Sequence, residues 1–167
     1  RLDVFHTNGW QNLNPIDNFQ NDRSRLFISQ PNGFQFRDEA ATRGMTDTEQ
    51  GRAVVCAHFD GDADVDIFMT NRGLENSGAF WLNNDTSNQN KALIATLVGA
   101  GSNTQAAGAR IRVTVGGVTQ TREIAVGNNF TSQTPTAQVV GLGTAAAADS
   151  VEVEWPDGST DKYSNVR

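Results

Sequence analysis

The stretch His58-Phe59-Asp60-Gly61-Asp62-Ala63-Asp64-Val65-Asp66-Ile67-Phe68 decides how the first half of the chain is interpreted. Its four aspartates, Asp60, Asp62, Asp64 and Asp66, recur at every second position between two apolar runs. A straight β-strand would place the four carboxylates on one face, about 7 Å apart. Adjacent pairs would then repel by roughly 2 kcal/mol at an effective dielectric constant of about 20. We therefore predict that the segment curls and that its carboxylates surround a cation.

Calcium is the cation that this spacing favours. Loops of the EF-hand kind use side-chain oxygens at alternate early positions and a backbone carbonyl at the seventh, with glycine at the sixth. When His58 is counted as the first position, the four aspartates occupy the third, fifth, seventh and ninth. His58 is a poor ligand for a hard ion, and Ala63 stands where glycine would avoid a strained left-handed backbone. We therefore expect weak calcium binding, and the alternative is a solvated acidic turn without an ion.

Composition limits the classes of protein that need to be considered. A chain of 167 residues fits one domain or two small ones. Its net charge of −6 argues against a nucleic-acid partner, which would require a basic face. No apolar run reaches the length of about 18 residues that a membrane span requires. Cys56 is the single cysteine, so no disulfide forms within the chain, and it is interpreted as a small core residue rather than a nucleophile.

A short repeat organises residues 1–88. Leu2-Asp3-Val4-Phe5-His6-Thr7-Asn8 is matched by Val65-Asp66-Ile67-Phe68-Met69-Thr70-Asn71, and residues 25–30 are aligned with residues 79–84. Repetition over tens of residues with several strands per unit is typical of a propeller or a similar array. We expect strands near 2–7, 25–29, 34–37, 53–58, 66–70 and 79–83, and a single helical turn within 46–52.

Since the repeat is present in little more than one copy, we expect a C-terminal fragment of a longer protein. The strands around Val54-Val55 and Ile67-Phe68 would then expose apolar faces that neighbouring blades normally cover. Self-association through this incomplete blade is one expected consequence.

A different pattern follows the polar segment 85–90, which we take as the boundary between domains 1–88 and 89–167. Alternating residues predict strands at 92–98, 109–115, 118–126 and 151–155, and Gly116-Gly117 is predicted to be a two-residue hairpin turn. This turn would place Gln120 opposite Val113 and Arg122 opposite Ile111, on the apolar face. Either a bulge moves these two side chains outward, or Arg122 reaches a carboxylate. The predicted fold is all-β, with partial propeller blades followed by a small antiparallel sandwich or barrel.

Two family resemblances accompany these patterns. Residues 1–88 resemble the FG-GAP or VCBS class of propeller repeat, in which an acidic calcium loop precedes a strand such as Asp66-Ile67-Phe68-Met69-Thr70-Asn71. Residues from about 90 to 167 resemble the ASPIC/UnbV domain. The residues and short motifs that carry this second resemblance are Gly99, Ser102-Asn103, Gly108-Ala109-Arg110, Gly116-Gly117, Gln120, Arg122-Glu123, Ser132-Gln133, Gly141-Leu142-Gly143, Val153 and Trp155-Pro156-Asp157-Gly158.

The resemblance implies a secreted or cell-envelope protein and no known catalytic residues. The expected function is an adhesion or interaction module that binds protein or glycan, with calcium as a structural ligand. The alternative is a carbohydrate-active enzyme or its accessory carbohydrate-binding module. In that case Asp60, Asp62 or Asp66 would supply acid and base, or His58 and the aspartates a catalytic metal. The sequence offers no Ser-His-Asp pattern or pair of metal-binding histidines to support the enzyme.

Overall fold

The computed structural model describes residues 2–8, 22–31, 34–62, 64–72, 78–82 and 89–167. The regular structure of these residues consists of β-strands and one short 3-10 turn, Ala41–Arg43, so the predicted all-β class is confirmed. The strands are β1 (Val4–His6), β2 (Arg25–Ser29), β3 (Phe36–Asp38), β4 (Gln50–Ala57), β5 (Asp66–Arg72), β6 (Ala79–Leu82), β7 (Lys91–Ala95), β8 (Arg110–Val115), β9 (Val118–Glu123), β10 (Gln138–Gly143), β11 (Ala148–Glu154) and β12 (Thr160–Val166).

The chain forms two compact units, and neither is continuous in sequence. Unit 1 consists of Arg1–Val55, Ile67–Leu82 and Asn129–Ser132, and unit 2 consists of Cys56–Asp66, Asn83–Asn128 and Gln133–Arg167. The boundary that we predicted at residues 88 and 89 stays a prediction, because most of the polar segment on which it rests lies outside the described residues.

Unit 1 is built around three-stranded sheets. Strands β1, β2 and β3 pair in that order, as do β4, β5 and β6. Met69 is fully buried, and its sulfur accepts a hydrogen bond from Ser24 Oγ at 3.6 Å. The Val54 carbonyl accepts hydrogen bonds from Asn129 Nδ2 and Ser132 Oγ, both at 3.0 Å. These contacts explain why residues so far apart in sequence belong to one unit.

The predicted repeat has a counterpart in strand pairing, but with a different alignment. Val4 pairs with Phe27 in the first copy, and its counterpart Ile67 pairs with Leu82 in the second. The predicted alignment of residues 25–30 with 79–84 would instead place Phe27 opposite Trp81 in the repeat. That alignment is wrong by one residue, since Leu82 is the counterpart of Phe27. A one-residue slip exchanges the faces of a strand.

One side-chain contact is shared by the two copies. The repeated asparagine donates a hydrogen bond from its side chain to an aspartate, Asn8 to Asp22 and Asn71 to Asp47. The predicted helical turn at 46–52 is wrong, because β4 already begins at Gln50. The predicted exposure of Ile67 is also wrong, because its side chain is buried.

Unit 2 is a small antiparallel sandwich, which is the first of the two predicted alternatives. One sheet has the order β12-β11-β8-β9, and the other pairs β10 with β7. Alternate residues of β8 and β11 turn inward to meet residues of β7 and β10, so the two sheets enclose one apolar core. Its buried members are Leu93, Ala106, Ala109, Ile111, Val113, Ile124, Val140, Leu142, Ala148, Val151 and Val153.

The β8–β9 hairpin has the predicted register. Gly116 and Gly117 both have positive φ, 56° and 76°, as a two-residue hairpin turn requires. Ile111 pairs with Arg122 and Val113 with Gln120, without a shift in register. The predicted bulge in this hairpin is therefore wrong.

The inward ion pair of Arg122 is also wrong, since within the described residues it donates to the Thr121 carbonyl and to Gln120 Oε1. Gln120 Nε2 in turn donates to the carbonyl of Gly141 at 2.8 Å. A register shift between Gly141 and Gly143 interrupts the β10–β7 ladder at this point. The inward polar pair is thus satisfied by amide and carbonyl groups.

Within the described residues there is no helix with the length and apolar character needed to span a lipid bilayer.

Candidate functional site

Asp66 closes the acidic loop in unit 2. It is the first residue of β5 and is fully buried. Its Oδ2 accepts a hydrogen bond from the backbone N–H of Phe59 at 2.9 Å, which joins the two ends of the loop. A buried carboxylate is retained only where hydrogen bonds compensate for its lost hydration. Asp66 therefore holds the loop in shape.

Asp60 and Asp62 set the conformation inside the loop. Asp60 Oδ1 accepts from the N–H of Asp62 at 3.2 Å, and Asp62 Oδ1 accepts from the N–H of Asp64 at 2.9 Å. Such bonds to the residue two positions ahead are Asx turns, which bend the backbone locally. Gly61 lies between them with φ of 86°, a value that favours glycine. The segment curls as predicted, and protein hydrogen bonds set its curvature.

The side chains of Asp60 and Asp62 are exposed, and Asp64 is half-buried. The backbone N–H of Asp64 lowers the pKa of the Asp62 carboxyl. Desolvation, the hydrogen bond and charge of Asp60 and the charge of Asp64 together outweigh it, so the pKa of Asp62 lies above its ordinary value of 3.8. Negative charge is therefore crowded at the loop tip, and a nearby positive charge would be stabilised there.

In the parts of the chain that the structure describes, no three His, Cys, Asp or Glu side chains form a group that could hold a metal ion. Asp66 directs its carboxylate to the loop backbone, and Ala63 lies outside the described residues. The placement of the four aspartates around calcium accordingly stays a prediction.

A cavity of about 240 Å³ lies beside this loop within unit 2. The last two residues of β4, Cys56 and Ala57, line it together with the next residue, His58, and the two ends of the loop contribute Phe59 and Val65. The start of β10 and the segment before it also line the cavity, with Thr134, Pro135, Ala137, Gln138 and Val139. No sequence pattern indicated this cavity, because its walls are some seventy residues apart and carry no shared motif.

Two groups in the cavity wall are chemically distinctive. His58 Nδ1 is buried and has no hydrogen-bond partner among the residues that the structure describes. Cys56 is a free thiol, and burial raises its pKa above 9.0, so it stays protonated near neutral pH. Cys56 is half-buried and lines this cavity, and its interpretation as a small core residue stays a prediction.

A polar depression of about 490 Å³ lies in unit 1, lined by Asp22, Arg23, Arg25, Thr46 and Thr48. Arg25 Nη2 contacts Asp22 Oδ1 at 2.6 Å, and Arg25 Nη1 lies 3.8 Å from Asp38 Oδ2. Backbone hydrogen bonding from Ala40 is the largest cause that lowers the pKa of Asp38, and Leu26, Arg25 and Arg23 add to it. Charged side chains are thus held in fixed positions around an open surface.

Two of the motifs that carry the ASPIC/UnbV resemblance, around Asn103 and at Trp155-Pro156-Asp157-Gly158, form turns in unit 2. Asn103 donates from Nδ2 to the carbonyl of Ala107 and accepts from its N–H, at 3.0 and 2.9 Å. In the Trp155-Pro156-Asp157-Gly158 turn, the N–H of Gly158 donates to the Trp155 carbonyl at 2.9 Å. The indole of Trp155 donates to Asp161 Oδ2 at 2.8 Å, which fastens this turn to β12.

Comparison with known protein families agrees with this part of the structure. The family described as ASPIC and UnbV matches residues 99–167. The chain therefore contains an ASPIC/UnbV domain, and this domain forms most of the unit 2 sandwich. No curated protein matches the chain.

Proposed function

We propose that this chain is a non-catalytic interaction module that binds protein or glycan outside the cytoplasm, at the cell envelope or after secretion. The observation that carries the proposal is the acidic loop of unit 2, which presents the exposed carboxylates of Asp60 and Asp62 on a backbone fixed by hydrogen bonds. Preorganised surface groups of this kind lower the entropic cost of binding. The extracytoplasmic location and the FG-GAP/VCBS nature of the first half rest on the sequence resemblance.

The polar depression in unit 1 supports the glycan part of the proposal. Two guanidinium groups, a carboxylate and two threonine hydroxyls surround it. Side chains of these types donate and accept hydrogen bonds of the sort that sugar hydroxyls make.

A binding survey tests the function. The fluorescently labelled protein is applied to a glycan array and to immobilised secreted proteins, and Asp60→Asn/Asp62→Asn and Arg23→Ala/Thr48→Ala are compared with it. We expect at least one ligand whose binding is reduced about tenfold by one of the two variants. Asp149→Asn, which changes an exposed acid of β11, is the matched control. Uniform absence of binding, or binding that neither variant weakens, would contradict the proposal.

Structural calcium is a separate part of the proposal. The loop spacing supports it, while His58 and Ala63 stand where an aspartate and a glycine would suit calcium better. We expect a dissociation constant of about 10⁻⁴–10⁻³ M, the range of extracellular modules. The double change His58→Asp/Ala63→Gly should tighten binding, because it adds an oxygen ligand and relaxes the turn. Isothermal titration calorimetry measures the dissociation constants of the unchanged protein and of the variant. Micromolar binding by the unchanged protein, or no gain in the variant, would contradict the proposed calcium site.

A further inference from the structure

The cavity beside the acidic loop has the size of a side-chain pocket. Pockets that enclose small organic ligands usually measure about 300–1,000 Å³, and this one measures about 240 Å³. Protein interfaces place single anchoring side chains in pockets of this smaller kind. Its size therefore favours one side chain of a partner protein over a free organic molecule.

The residues that line the cavity indicate what kind of side chain a partner would insert. Alanine, valine, proline and phenylalanine residues form most of the lining, so the occupant should be apolar. Phe59 and Val65, at the two ends of the acidic loop, remain 44% and 39% exposed. They are apolar surface at the cavity that a bound partner would cover. His58, in the same wall, has a buried Nδ1 that makes no hydrogen bond within the described residues.

The negative charge beside the cavity indicates which partner residues would flank the inserted side chain. Asp60 directly follows Phe59, and Asp60 and Asp62 are both exposed. The crowded carboxylates at this tip repel one another, and a cation brought close to them would relieve that repulsion.

We propose that the cavity receives one apolar side chain from a basic segment of a partner protein, while Asp60 and Asp62 contact lysine or arginine residues that flank it. This inference rests on the proposed interaction function and names the partner's chemistry at one site.

The test uses the full chain and three acetylated, amidated pentapeptides. The first is Lys-Lys-Leu-Lys-Lys, the second replaces the leucine by serine, and the third replaces the lysines by glutamate. Binding is followed by the amide resonances of Phe59, Ala137 and Gln138 in ¹H–¹⁵N spectra. We expect the serine peptide to bind about tenfold more weakly than the leucine peptide, the loss expected when a leucine is not buried. The glutamate peptide should not bind.

Two protein variants locate the site. Ala137→Leu should fill the cavity and abolish the dependence on leucine. Val65→Ser, which removes exposed apolar surface at the cavity, should reduce that dependence and is used if the first variant does not fold. Asp60→Asn/Asp62→Asn should weaken the lysine peptides, and Asp149→Asn should not. Equal binding of the leucine and serine peptides, or shifts that the Val65 variant leaves unchanged, would overturn the inference. Glycan or protein binding in the survey above would then still support the function, so the two failures are distinguishable.

Discussion

Gly99 shows how little room the loop before β8 leaves for a side chain. A Cβ at this position would lie 2.0 Å from the carbonyl oxygen of Asn103 and 3.0 Å from the backbone nitrogen of Ala106. The N–H of Gly99 donates to the Thr104 carbonyl at 3.1 Å, and Asn103 is itself fixed by its contacts with Ala107. These neighbours are backbone groups, which cannot move aside as a flexible side chain could.

We predict that Gly99→Ala lowers the free energy of unfolding by about 2–3 kcal/mol, as overpacking does. Gly101→Ala is the control in the same loop. Gly101 has φ of 63°, and no atom of the described residues lies within 4 Å of an added Cβ, so the change should cost only the left-handed strain of about 1 kcal/mol. Urea denaturation measures both values. Equal costs for the two variants would mean that the loop yields at Gly99.

Gln120 and Arg122 show what could be predicted at the scale of a residue. A two-residue turn fixes the cross-strand partners, so their inward position followed from the sequence. Their hydrogen-bond partners could not be predicted. The Gly141 carbonyl belongs to β10, a strand that the sequence had not indicated.

A row of charges crosses three strands on the outer face of the unit 2 sandwich. Glu152 of β11 is paired in register with Arg112 of β8 and with Lys162 of β12. Glu152 Oε2 lies 2.8 Å from Lys162 Nζ, and Oε1 lies 3.2 Å from Arg112 Nη1. Opposite charges placed directly across a ladder stabilise strand pairing modestly.

This row makes stability depend on pH. The hydrogen bond from Lys162 is the main cause that lowers the pKa of Glu152 below its usual 4.5, and Arg112 adds to it. A lowered carboxyl pKa stabilises the folded state above the unfolded-state pKa, and this contribution is lost as the pH falls through the folded-state pKa. We predict that the difference in urea midpoint between the unchanged protein and Glu152→Gln is present at neutral pH and shrinks below pH 4.5.

Asp149→Asn, on the same strand, controls for the general loss of a negative charge. A difference between the unchanged protein and Glu152→Gln that stays constant down to about pH 3 would show that the row does not couple protonation to folding.

Strand recognition depended on how regularly apolar and polar residues alternate. β8 and β11 alternate clearly and were predicted, because each buries one face. β12 was missed, since six of its seven residues are exposed and no apolar pattern marks it. β10 was missed because it contains two glycines at the position where its register shifts. Both strands are specified by the neighbours with which they pair.

The acidic loop shows the same limit. Its curvature could be predicted from repulsion between alternate aspartates, whereas the inward role of Asp66 and the nearby cavity arise from tertiary contacts.

At the scale of the whole molecule, unit 1 leaves large apolar side chains exposed. Phe34 is 97% exposed and Phe36 of β3 is 50% exposed. Leu2 and Val4, beside or within β1 at the other edge of the same sheet, are also exposed. Exposed apolar surface of this kind favours association.

We predict concentration-dependent self-association through this sheet. Sedimentation velocity should show a rising weight-average mass with concentration, and Phe34→Ser/Phe36→Ser should reduce it. Val118→Ser, at the hairpin of unit 2 where the side chain is 67% exposed, is the control and should leave the association unchanged. A monomer at all concentrations, or equal effects of both variants, would refute the role of this sheet.

Strand β7 has a consequence for anyone who excises the ASPIC/UnbV domain for expression. The family match begins at residue 99, whereas β7 spans Lys91–Ala95 and is the strand that pairs with β10 in the described structure. A fragment cut at the family boundary would lose Leu93 from the core and leave β10 with unpaired backbone groups, which invite intermolecular pairing. Unit 2 also includes Cys56–Asp66. The family match is therefore shorter than the compact unit, and an expression vector designed from residues 99–167 would encode a sandwich without β7.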